Sequence, residues 1–156
     1  IDTSKLLTRD LKRELMRIFV EELGYKNLYI TVQSFGFKYG IPADSDLVAD
    51  VRFLPNPFYV DALRNLTGKD QDVKDYVMGL DVSRLFLERY TSLLTFLIPN
   101  YIAEGKNQLV VAIGCTGGKH RSVTLAKALF ERMSKYEDYG FKLDHRDMGK
   151  DAARGK

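Results

Sequence analysis

The densest chemistry in the chain sits in nine consecutive residues, Gly114 to Ser122, reading GCTGGKHRS. They lie between a short apolar run, Leu109 to Ile113 (LVVAI), and an amphipathic stretch from Arg121 to Tyr136. A strand, a glycine-rich loop and a helix in that order aim main-chain N–H groups and the positive end of a helix dipole at one point, and glycines let a bound group approach the backbone closely. A phosphate suits such a place. Lys119, His120 and Arg121 add charge or donors beside it, Arg121 with a fork that takes two oxygens at once, and Ser122 adds a hydroxyl. The plainer alternative is a tight turn whose basic side chains face water. Three donor side chains in succession at a helix entrance favour the anion site.

The spacing separates this loop from two better-known phosphate chemistries. The Walker pattern needs Gly, four residues, Gly-Lys and then Ser or Thr. Here Gly114 stands one position too close to Gly118-Lys119, and His120 takes the place of the magnesium-binding hydroxyl. The cysteine-phosphatase pattern Cys-x5-Arg-Ser/Thr, in contrast, is met at every position from Cys115 to Ser122. In that chemistry a thiolate attacks phosphorus while the loop and the arginine hold the equatorial oxygens. Gly114 stands where a histidine commonly precedes the cysteine, and no aspartate identifies itself as the general acid. An inert cysteine at a strand end is the competing explanation. The expectation is binding without catalysis, with a phosphatase built on Cys115 and Arg121 as its rival.

The elements that would hold this loop are legible as periodicities. Leu11, Leu15, Ile18, Phe19 and Leu23 recur at helical steps between Thr8 and Leu23, with Arg9, Arg13 and Arg17 diluted by acids on the other face. Residues 27–34 (NLYITVQS) are rich in β-branched and aromatic types and predict a strand that ends in the loop FGFKYGIPADSD. Residues 47–54 (LVADVRFL) predict a second strand, with Asp50 and Arg52 on one alternating face, stopped by the PNP at 55–57. Helices are expected over 73–78 and 82–101, the latter stopping near Pro99 or Gly105, and over 121–136. The uninterrupted LVVAI predicts a strand covered on both faces, and 139–147 (YGFKLDHRD) a last strand before a polar tail. The expected fold is one α/β domain, a small central mixed sheet flanked by helices, with its pocket where the 34–46 and 114–122 loops meet beyond the strand ends.

Composition narrows the class. At 156 residues the chain is long enough for one well-buried core. A single cysteine rules out an internal disulfide and a thiolate-rich metal site, and two histidines leave little for a His-ligated one, so no metal is expected. A net charge of +3 gives no bulk argument for nucleic acid. No apolar run approaches the roughly 18 residues of a membrane span, and the start has no signal-peptide pattern, so a soluble cytoplasmic protein is expected. The first residue is Ile1, which suggests a piece of a longer chain.

Three blocks, SFGFKYGIPADSDLVADVRFLPNP at 34–57, LTGKD at 66–70 and VAIGCTGGKHRSVTLA at 111–126, closely resemble the C-terminal domain of the RapZ/YvcJ family of RNase adapters and nucleotide-binding proteins. IDTS at the start resembles the end of that family's N-terminal P-loop NTPase domain, which makes residues 1–7 a linker. The resemblance implies a two-domain parent whose absent N-terminal domain takes ATP or GTP, no cofactor being expected in this chain. In the RapZ branch the C-terminal domain binds small regulatory RNA, delivers it to an RNase, and senses glucosamine-6-phosphate. The wording of FGFKYGIPADSD and HRSVTLAKAL is closer to the YvcJ branch of Gram-positive bacteria.

Carried over by position, the phosphate contacts would be Thr116, Gly117, Gly118, His120, Arg121 and Ser122. The sugar side would be Ser34, Phe35, Gly36, Lys38, Asp50 and Arg52, where Asp50 and Arg52 fit equally well as an internal pair. RNA would need a continuous basic surface, with candidates Lys119, Lys127, Lys142, Arg146, Lys150 and Arg154, interrupted by Asp144, Asp147 and Asp151. The implied partners are a phosphorylated small molecule, RNA with an RNase, and a second copy in a homo-oligomer, taken as a dimer, with no membrane.

Overall fold

The computed structural model describes residues 11–13, 27–136 and 138–150. Residues 11–13 are helical, and the rest of the helix expected between Thr8 and Leu23 lies outside the described residues. Four strands, β1 (Leu28–Gly36), β2 (Leu47–Asp50), β3 (Gln108–Cys115) and β4 (Tyr139–His145), form one sheet in the order β2-β3-β1-β4. Three helices lie between them in the chain: α1 (Gln71–Met78), α2 (Asp81–Glu104) and α3 (Arg121–Met133).

Every strand pairing is parallel, so the sheet is not the mixed one expected. The reason lies in the connections: α1 and α2 bridge β2 to β3, and α3 bridges β3 to β4, each crossover returning the chain to the same end of the sheet. All four C-terminal strand ends therefore share one edge.

Side-chain alternation assigns the faces. Leu28, Ile30 and Val32 of β1 are buried, while the alternate Tyr29, Thr31 and Gln33 are half-buried. Ile30 and Val32 pair with Leu109 and Val111 of β3, Ser34 with Ile113, and α3 lies across both strands through Leu125, Ala126 and Leu129. α1 and α2 pack on α3, adding Val73, Val77, Leu87, Leu94 and Ile98 to the same core.

β2 is shorter than the sequence expectation, and α2 takes the later of its two expected stops. β2 ends at Asp50 because the Asp50 carboxylate accepts the Arg52 amide at 2.9 Å, which turns the chain after Val51 makes its last sheet bond to the Gly114 carbonyl. α2 runs through the exposed Pro99 and stops at Gly105, whose φ of 105° is the left-handed turn that closes a helix.

Candidate anion-binding site

Strand register brings the loops together. Gly36 pairs with Cys115 and Asp50 with Gly114, so β1, β2 and β3 end side by side and the 116–120 loop rises between the segments that follow β1 and β2. Two glycines permit that contact. A β-carbon on Gly36 would stand 2.5 Å from the Gly117 carbonyl carbon, and one on Gly118 would stand 2.6 Å from the Gly36 amide. Gly118 also has φ +72°, a region that favours glycine.

The side chains around the loop are fixed by carbonyls of the 52–64 segment. The Lys119 ammonium donates to the Arg64 carbonyl at 3.1 Å, and the His120 ring meets the Leu63 carbonyl through Nε2 at 3.2 Å. Burial, then the charge of Lys119, holds the His120 pKa below its ordinary value. His120 is thus neutral at pH 7, with its proton on Nε2 facing Leu63. The main chain completes the seam, since the Gly68 amide donates to the Lys119 carbonyl at 2.9 Å.

Arg121, 5% exposed, is the pivot. Nη1 donates to the carbonyls of Arg52 and Leu54, both at 2.9 Å, which fixes the plane of the guanidinium. Its other edge is differently placed: Nη2 makes only a 3.4 Å contact to Thr116 Oγ1, and Nε is buried without a partner among the described residues. That edge carries the two parallel N–H bonds that an arginine offers to a carboxylate or phosphate. The amides of Gly117, Gly118, Lys119 and His120 likewise donate to no main-chain carbonyl among the described residues.

Loop and arginine border a cleft of about 240 Å³. Of the expected phosphate contacts, Thr116, Gly117, His120 and Arg121 line it, whereas Gly118 and Ser122 are buried behind the lining. Cys115 also reaches the cleft, its thiol donating to Ser122 Oγ at 3.1 Å.

Of the expected sugar-side residues, Lys38 lines the cleft. Ser34 is fully buried with its hydroxyl 2.7 Å from His145 Nδ1. Phe35 is equally buried, edge-on to Phe37 in the space that Gly114 leaves open. Gly36 serves as backbone, and Asp50 and Arg52 take each other as partners at 2.7 Å, with the guanidinium 4.0 Å from the Phe37 ring centre. The Asp50 pKa is lowered chiefly by its hydrogen bond from Arg52.

The opposite wall was not anticipated. Asn56, Phe58 and Tyr59 form it, in a single turn where Pro57 starts the helical geometry and Asn56 Oδ1 caps the Phe58 amide at 3.1 Å. The available signal was the NP pair followed by two aromatics, and Tyr59 is 77% exposed.

Several of the basic candidates have partners within the fold. Arg146 and Lys150 both bind Asp147, Lys119 is held by Arg64, and Arg154 lies outside the described residues. Lys127 and Lys142 make no ion pair among the described residues. Among those residues there is also no cluster of His, Cys, Asp or Glu fit for a metal, and no helix long and apolar enough to cross a membrane.

Fold and loop together define a class: a small, wholly parallel α/β domain with a glycine-rich loop entering a helix at the strand ends. Within that class the chain belongs to the RapZ C-terminal domain family, whose model matches residues 28–149, and it is a regulatory domain of that family. It is 64% identical over all its 156 residues to a nucleotide-binding protein of Agathobacter rectalis, covering 54% of that protein. It is 58% identical over 150 residues, 96% of this chain and 52% of the other, to a nucleotide-binding protein of Lachnoclostridium phytofermentans. A third nucleotide-binding protein, from a Thermoanaerobacter species, is 57% identical over 151 residues, 97% of this chain and 53% of its own. The chain spans about half the length of the curated relatives it matches.

Proposed function

We propose that this domain binds a phosphorylated metabolite, a phosphosugar of the glucosamine-6-phosphate kind, and leaves it chemically intact. The observation that carries the reading is Nε of Arg121, which among the described residues is buried without a partner, beside a loop whose amides are uncommitted among those residues. A dianion supplies acceptors for both, and Arg121 needs no reorganisation to receive it because Arg52 and Leu54 already hold its plane. Lys38 and Asn56 offer polar contacts to the sugar, and Phe58 and Tyr59 offer ring faces.

Calorimetric titration with glucosamine-6-phosphate and with inorganic phosphate tests this. Loss of the guanidinium in Arg121→Ala is expected to weaken binding by about 1.5–3 kcal/mol, and Arg121→Lys, which keeps the charge without the fork, by a smaller amount. No heat at millimolar concentration of any phosphosugar, with the variants indistinguishable from wild type, overturns it.

RNA binding, delivery of RNA to an RNase and self-association belong to the same proposal at the level of the parent protein. So does the nucleotide named in the relatives, as ATP or GTP held outside this domain. The second reading is a cysteine-dependent phosphatase, favoured by the Cys115 thiol in the cleft. It requires para-nitrophenyl phosphate turnover that vanishes in Cys115→Ser, and the expected result is no turnover in either.

A further inference from the structure

We infer that Asp147 is the positioning residue of the anion loop, acting through Gly36. The inference rests on the phosphate reading above, but its geometry is independent of any ligand. Asp147 has no exposed surface, and its carboxylate accepts the Gly36 amide at 2.8 Å. Gly36 is the residue against which Gly117 and Gly118 are packed, and the Asp147 β-carbon stands with the Gly36 amide on the same side of Gly118, 3.0 Å from where a β-carbon there would stand. Loop residues 117–118 thus rest on a surface made by Gly36 and the side chain that holds it.

The same carboxylate is gripped by Arg146 through Nε at 3.0 Å and Nη2 at 2.8 Å, and by Lys150 at 2.6 Å. Arg146 is itself tied to the C-terminal end of β1 and to the segment that follows it, its amide donating to the Ser34 carbonyl and its guanidinium to the Gly40 carbonyl. A buried carboxylate with four donors is a rigid part, and here it joins the chain after β4 to the loop after β3. Two cations around one anion also leave a local charge of +1 next to the loop, so the clamp does not repel a phosphate.

The test uses Asp147→Ala and Asp147→Asn, since an asparagine Oδ1 still accepts the Gly36 amide while the charge is removed. Amide hydrogen exchange at Gly36, whose N–H Asp147 holds, measured without ligand, is expected to accelerate at least about tenfold in Asp147→Ala and to stay near wild type in Asp147→Asn. Affinity for inorganic phosphate is expected to fall about tenfold in the alanine variant and within threefold in the asparagine one. Unchanged Gly36 exchange and phosphate affinity in Asp147→Ala, or an asparagine variant as impaired as alanine, overturns the inference. Where the alanine variant does not fold, the asparagine variant alone decides on those criteria. If wild type binds no phosphate, the functional reading falls while the exchange result still judges the clamp.

Discussion

The fold changes the titration of both imidazoles. His120 and His145 are the two histidines in the chain, and burial depresses both pKa values, with lysine charges adding to the effect. The unfolded chain takes up its protons first as pH falls, near 6.5, so it is favoured between that value and the lower folded pKa values. Stability is therefore expected to decline as pH drops from 7 through about 6, read as a falling urea midpoint. His120→Gln, which keeps a donor for the Leu63 carbonyl, should flatten that slope; an unchanged slope would place the effect elsewhere. Asp147 acts in the same sense, at lower pH. Burial alone would raise its pKa, but the bonds from Arg146, Gly36 and Lys150 prevail and lower it, so its contribution is complete above pH 3.8 and is lost only as pH falls through the folded value.

The loop as an element depends on backbone shape more than on side-chain identity. Gly118→Ala must place a β-carbon at positive φ, which costs about 1–2 kcal/mol, and must also displace the Gly36 amide. The variant should lose that much stability in denaturant titration and lose phosphate affinity as well. A variant as stable as wild type would mean that the loop has another shape in solution. The helix behind the loop is governed by packing instead. Leu129 of α3 is fully buried, and Leu129→Ala is expected to cost about 2–5 kcal/mol while leaving phosphate affinity of the remaining folded protein unchanged, which calorimetry below the melting temperature can check.

For the whole molecule, the parallel topology matters because it places every strand end, and hence the loops after β1, β2 and β3, at one edge. Among the cations, Arg146, Lys150 and Lys119 already have partners in the fold. RNA affinity of this domain, measured by filter binding, is accordingly expected to respond more to Lys127→Ala and Lys142→Ala than to Arg146→Ala, and to fall with salt at about 0.7 logarithmic units per phosphate neutralised. A dominant effect of Arg146 would show that RNA displaces it from Asp147.

Local pattern alone determined the strand–loop–helix unit around residues 114–122, because a fully apolar run, clustered glycines and a helical stripe are short-range signals. The α/β class followed from the same periodicities. Tertiary structure decided the partners of the charged residues: Arg121 divides between two carbonyls far away in the chain and an open edge, and Asp50 takes Arg52. It also decided that Asn56, Phe58 and Tyr59 face the loop and that Asp147 sits beneath it. Apart from the Asp50–Arg52 pair, two residues apart, these pairings span tens of residues, and a hydrogen bond between positions so far apart leaves no periodic trace, since its distance is set by how the sheet and helices pack.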